Sequence, residues 1–103
     1  MDKTRKILYP LTSDLDDIMK KLSETQESLH DAMTCCEQCE YGLSHEWDEN
    51  AQKEKTVAVP ADASRTIVFC RQVIKDGLAT TKDLINAVMS ATTMIDGIQP
   101  QAK

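Results

Sequence analysis

The chain has 103 residues, 41% of them hydrophobic and 28% charged, and carries a formal net charge of −5. That balance suits one small globular domain and excludes a disordered or collagen-like chain. Glycine and proline number only three each and aromatic residues make up 4%, which excludes a turn-rich β sandwich.

Charge is unevenly spread. Residues 1–60 hold seven Lys/Arg against thirteen Asp/Glu, whereas residues 61–103 hold five against four. No Lys or Arg lies between Lys21 and Lys53, a stretch that carries Glu24, Glu27, Asp31, Glu37, Glu40, Glu46, Asp48 and Glu49. Such a field repels phosphates and argues against DNA or RNA as a direct partner. No window approaches the roughly 18 uninterrupted apolar residues of a membrane span. Only Ile7, Leu8 and Tyr9 follow the basic start before Pro10, short of the apolar run of about 7–15 residues in a secretory signal. A cytoplasmic chain is expected, with signal-less export left open.

Pro10 imposes extended backbone on Tyr9, so residues 1–12 read as an arm or a short pre-helix. Ser13 with Asp16 three residues on resembles a helix N-cap, and Asp14, Asp16 and Asp17 complement the dipole of a first turn. Leu15, Leu22, Leu29, Cys36 and Leu43 then repeat every seven residues. Ile18, Thr25, Ala32 and Cys39 form the row three residues on, and Met19, Met33 and Trp47 widen the stripe. This spacing predicts an amphipathic helix over about 13–49, packed on another helix. Gly42 weakens it by roughly 1 kcal/mol relative to alanine without ending it.

Residues 50–59 break the pattern. Asn50 to Lys55 is polar, and Thr56-Val57-Ala58-Val59 before Pro60 favours extended backbone. Pro60 suits the first turn of a second helix, with Asp62 close behind. There Ile67, Ile74, Thr81, Val88 and Ile95 lie seven apart, and Cys70, Gly77, Leu84, Ala91 and Ile98 form the accompanying row. Leu78 and Ile85 extend the apolar face. Gly97 and Pro100 supply stop signals, placing the helix at about 60–97 with a tail over 99–103.

The expected fold is all-α: one long antiparallel helical hairpin over residues 13–98, with stripes too wide for two helices to cover. Such a hairpin assembles into a four-helix bundle, as a homodimer or with another protein. A chain broken at Gly42 or Gly77 that folds back into a compact monomer is the competing arrangement. The interaction residues expected on this basis are Leu22, Leu29, Met33, Trp47, Ile74, Leu78 and Ile85.

Cys35, Cys36, Cys39 and Cys70 are the densest chemical signal. An antiparallel hairpin turning near residue 55 brings Cys36, Cys39 and Cys70 toward one another. They read first as small core residues. A disulfide from Cys39 or Cys36 to Cys70 is a second reading, and a metal site of Cys35, Cys39 and Cys70 with His45 or His30 a third. Only one Cys-x-x-Cys pair is present, whereas zinc sites usually draw on two, so no metal and no cofactor are assigned. A small metal- or redox-responsive bundle on Cys36, Cys39 and Cys70 stands as the alternative function.

No phosphate loop, His-Glu-x-x-His or Glu-x-x-His pair is present, and both histidines fall on the outward side of the first helix. The chain therefore reads as a non-enzyme. Glu24, Glu27 and Asp31 line the outer face of the first helix without an i+4 Lys partner. Arg65, Arg71, Lys75 and Lys82 are the candidates to neutralise them; otherwise the face suits a basic protein partner.

A helical hairpin of about a hundred residues with Trp47 near its middle resembles the WXG100 class of type VII secretion proteins. Asp48 and Glu49 follow Trp47, so the glycine of the family motif is absent, as is a Tyr-x-x-x-Asp/Glu tail after Ile95. The resemblance implies a hairpin that works beside a secreted partner. The resulting functional expectation is an interaction or assembly module of adaptor, accessory or secretion-partner type.

Overall fold

The computed structural model describes residues 3–98. Met1, Asp2, Pro100 and the tail 99–103 lie outside them. Two long helices, α1 (Lys3–Ser44) and α2 (Ala61–Asp96), are joined through two short strands, β1 (His45–Asp48) and β2 (Lys53–Thr56). The helices form a hairpin. No helix among the described residues is long and apolar enough to cross a membrane. The chain divides into two compact units, Met1–Glu27 with Ala79–Lys103, and Ser28–Leu78.

The first helix begins ten residues before the expected Ser13, and the arm is helical with Pro10 inside it. Proline normally costs a helix interior about 3 kcal/mol through a lost hydrogen bond and a clash with the carbonyl four residues back. Here Lys6 and Pro10 are both exposed, so the carbonyl without a donor faces water. Thr12 Oγ1 donates to the Leu8 carbonyl at 3.4 Å, within the same stretch. Arg5 ties the segment down by donating to the carbonyls of Asp96 and Ile98, at 3.4 and 3.2 Å. Side-chain burial at Leu8 and Thr12 continues the packed stripe through the proline.

Burial also corrects how the stripe is built. On α1 the half-buried positions include Leu8, Leu15, Leu22, Leu29, Cys36 and Leu43, together with Thr12, Met19, Gln26, Met33 and Glu40. The leucine row is as expected, but its companion lies four residues on, not three. In coiled-coil lettering the leucines are d and Met19 and Met33 are a. Of the expected companion row, Ile18, Thr25 and Cys39 are exposed and Ala32 is half-buried. On α2 the d row is Ile67, Ile74, Thr81, Val88 and Ile95, and the a row is Arg71, Leu78, Ile85 and Thr92. Of the expected companion row on α2, Gly77, Ala91 and Ile98 are half-buried beside these rows, whereas Cys70 and Leu84 are exposed.

Thr81, 5% exposed, is the one buried side chain among the described residues, and none of them is a buried hydrophobic. Two helices in contact shield each other on one side only, so each seam residue keeps a wet flank. In the second unit Leu29 lies against Gly77: a Cβ built on Gly77 would meet Leu29 Cδ2 at 3.3 Å. The missing side chain lets that leucine reach the backbone of α2. Gly42 and Gly77 both sit within continuous helices, so neither breaks the chain into a compact monomer.

The link is a β hairpin where a polar loop was expected. Its strands pair antiparallel, with His45 opposite Thr56 and Asp48 opposite Lys53. Val57 N–H extends the ladder to the Ser44 carbonyl at 2.8 Å. Glu46 and Lys55, a cross-strand pair, hold an ion pair at 3.2 Å. At the turn, Asp48 Oδ1 accepts from the backbone N–H of Asn50 and Ala51 at 3.0 and 3.2 Å, an Asx-type closure. Gln52 takes a left-handed φ of 55°, which strains an L residue other than glycine or asparagine. Gln52→Gly should therefore raise stability by about 0.5–1 kcal/mol, read as a higher denaturant midpoint at unchanged slope. A lower midpoint would mean that the Gln52 side-chain bond to the Glu49 carbonyl, 2.6 Å long, outweighs the strain.

Candidate functional site

Each expected interaction residue has a definite place. Leu22 and Ile85 lie half-buried in the seam rows of the first unit, and Leu29, Met33, Ile74 and Leu78 in those of the second. All six lie on the heptad rows of the hairpin and are half-buried, so each keeps a wet flank. Trp47 does not end the first helix. It sits in β1 with 53% of its surface exposed.

The apolar side chains left outside are different ones. Ile7, Leu11, Ile18, Leu84 and Met94 are 65%, 48%, 44%, 48% and 74% exposed. All lie in the first unit, as do exposed Tyr9 and Met89, whereas Val68, Phe69 and Val73 are exposed in the second. There Leu11 and Leu15 of α1 and Ala91, Met94, Ile95 and Ile98 of α2 line an open groove of about 450 Å3. Leu11, Ile18, Leu84, Ala91 and Ile98 are g positions, while Ile7, Ala87 and Met94 are c positions. In a two-stranded coiled coil, g usually carries Glu or Lys. Apolar c and g positions make a second face beside the first, and that is the main candidate site.

The thiols are dispersed. Cys36 is half-buried in the seam row, whereas Cys35, Cys39 and Cys70 are exposed, and all four are free. The hairpin thus has no disulfide staple, and the expected packing of Cys39 and Cys70 in the core is not found. Among the described residues no three His, Cys, Asp or Glu side chains come together as a metal-ion ligand set. Cys35, Cys39, Cys70 and His45 therefore do not converge. His45 has left the helix for β1, where its ring stacks on Tyr41 at 4.0 Å and Nδ1 lies 3.0 Å from the Tyr41 carbonyl.

One turn of α1 does join two thiols. A hydrogen bond with Cys35, reinforced by the charge of that neighbour, raises the Cys39 thiol above its ordinary value. Thiolate is the reactive form. Cys35→Ala should therefore speed alkylation of Cys39 at pH 8 by roughly two- to five-fold, followed by mass mapping of iodoacetamide adducts. An unchanged rate would show that the two thiols do not interact.

Tyr41 likewise has a raised pKa, because its hydroxyl donates to the Glu54 carboxylate. A phenol raised on folding stabilises below its unfolded value and loses that contribution as pH climbs through the folded one. This tie between α1 and β2 therefore holds at neutral pH and fails only in strong alkali.

The acidic face keeps its charge. Glu24, Glu27 and Asp31 are all exposed. Two of the cations expected to answer them are engaged elsewhere, Arg71 with Glu40 and Arg65 with Asp62. The Glu40–Arg71 pair was hidden from the periodicity because both members occupy a positions, where apolar residues are the rule. No family model matches the sequence, and comparison with curated proteins and with solved structures likewise finds no match.

Proposed function

We propose that this chain is a non-enzymatic interaction or assembly module, which completes its apolar burial against another protein. One observation carries the reading: no hydrophobic side chain is buried among the described residues, while large ones stand exposed along c and g positions of both helices. A chain that hides so little apolar surface gains little from the hydrophobic effect, and its conformational entropy leaves the single hairpin marginal. A helical partner laid on the second face would supply the missing burial in a four-helix arrangement. The acidic outer face then stays in water, or meets a basic surface of the partner. A place beside a secreted or assembled protein, as in WXG100-like hairpins, is compatible with this.

Thermal unfolding of the purified chain, followed by circular dichroism over a wide dilution series, tests the reading. At high dilution the melt should be broad and low, sharpening only when something covers the second face. A chain that stays monomeric throughout and melts in one sharp, concentration-independent transition would overturn it.

A further inference from the structure

The c and g face of the first unit, with Leu84, Ala87 and Met94 exposed and Ala91 half-buried, has features that select its occupant. We infer that it is an isologous contact, on which a second copy of this chain docks with its α2 antiparallel to the first; this rests on the interaction-module reading above.

Three properties favour a second copy over an unrelated partner. The first is charge. In a two-fold contact residue i meets residue j and j meets i, so a face carrying one sign of charge repels its copy whereas an uncharged face does not. Residues 84–95 contain no Asp, Glu, Lys or Arg at all, in a chain that is 28% charged. The acidic face of α1, by contrast, could never pair with itself.

The second is size matching. Along the stripe the order is Leu84, Ala87, Ala91, Met94, long at both ends and small in the middle. Reversing the direction of a partner helix sets Leu84 against the other copy's methionine and Ala87 against its Ala91 position. Two small side chains meeting at the centre let the helices approach closely, while the long ones interdigitate on either side. Leu11 of α1, already on the rim of the groove, adds apolar surface from the first helix.

The third is area. The chain presents 8014 Å2 to solvent, whereas surface–mass scaling gives about 5,800 Å2 for a compact chain of this mass. The excess, roughly 2,000 Å2, exceeds the about 800 Å2 that each partner contributes to a standard interface. The open surface is therefore large enough to hold a standard interface with a second copy.

Sedimentation equilibrium of the full chain from 1 to 200 μM, with Ala87→Glu and Leu84→Glu variants alongside, tests the proposal. Both sites are exposed, so the hairpin should survive, and helicity at 222 nm checks that it does. The expected result is a species of twice 11.5 kDa for the natural sequence, with association at least 100-fold weaker in either variant. A dimer that neither glutamate affects would overturn the assignment of the face. A monomer at every concentration would overturn self-pairing. The melt then separates the two claims, since a broad monomeric melt retains the need for some other partner and a sharp one removes it too.

Discussion

Leu29→Ala should destabilise the chain by about 1.5–2.5 kcal/mol, the lower part of the range for buried leucines because Leu29 is only half-buried. The loss is larger than its exposure alone suggests. Gly77 faces it with no side chain, so nothing on α2 can move in to fill the space. The same geometry fixes the outcome of Gly77→Ala. In the natural background the new methyl gains about 1 kcal/mol of helix propensity. It also presses on Leu29 Cδ2 at 3.3 Å and Cδ1 at 3.4 Å, and displacing that leucine returns part of the gain. With Leu29 already reduced to alanine the full gain appears. A double-mutant cycle by urea denaturation at fixed protein concentration should thus show about 0.5–1 kcal/mol of coupling. Strict additivity would mean that the leucine and the glycine do not meet.

The second large effect concerns Glu40 and Arg71, which pair across the seam with side chains 44% and 29% exposed. Arg71→Leu alone should cost about 1 kcal/mol, because it leaves a half-buried carboxylate without its partner. The figure is kept small because water still reaches the glutamate and screens it. Glu40→Leu combined with Arg71→Leu should instead stabilise by about 1–2 kcal/mol, since apolar residues in a positions repay burial without a desolvation cost. The natural pair then serves alignment: a shift of the helices by one turn would strand both charges, and a double leucine variant loses that penalty. Chemical denaturation with amide spectra of the double variant checks both parts. A double variant less stable than the natural chain would show that the pair contributes net stability.

The leucines of α1 and the isoleucines of α2 made the hairpin legible, because a seven-residue apolar repeat has few other solutions. What stayed hidden was which neighbouring row shares the seam. In both helices the true companions include polar residues (Thr12, Gln26, Glu40, Arg71 and Thr92), whereas the row on the other side offers Ile18, Leu84 and Ala91. Apolar content alone therefore favoured that row, of which only Ala32, Gly77, Ala91 and Ile98 are half-buried. The β hairpin was unreadable for another reason. All four residues of β2, Lys53–Thr56, are exposed, so no alternation of apolar side chains marks the strand. Pro10 misled through a general rule whose cost is small where the orphaned carbonyl meets water.

The two strands between the helices also set how quickly the chain can find its fold. A hairpin closes in about 1–10 μs using only neighbouring residues, and here it leaves Ser44 and Val57 in hydrogen-bond contact at 2.8 Å. From that point each further turn of α1 meets its counterpart on α2 beside a contact already made. The entropy of bringing distant segments together is lost once, in a short loop, and not again at every rung. Formation of the hairpin should accordingly be fast, with the strands closing before the helices pair.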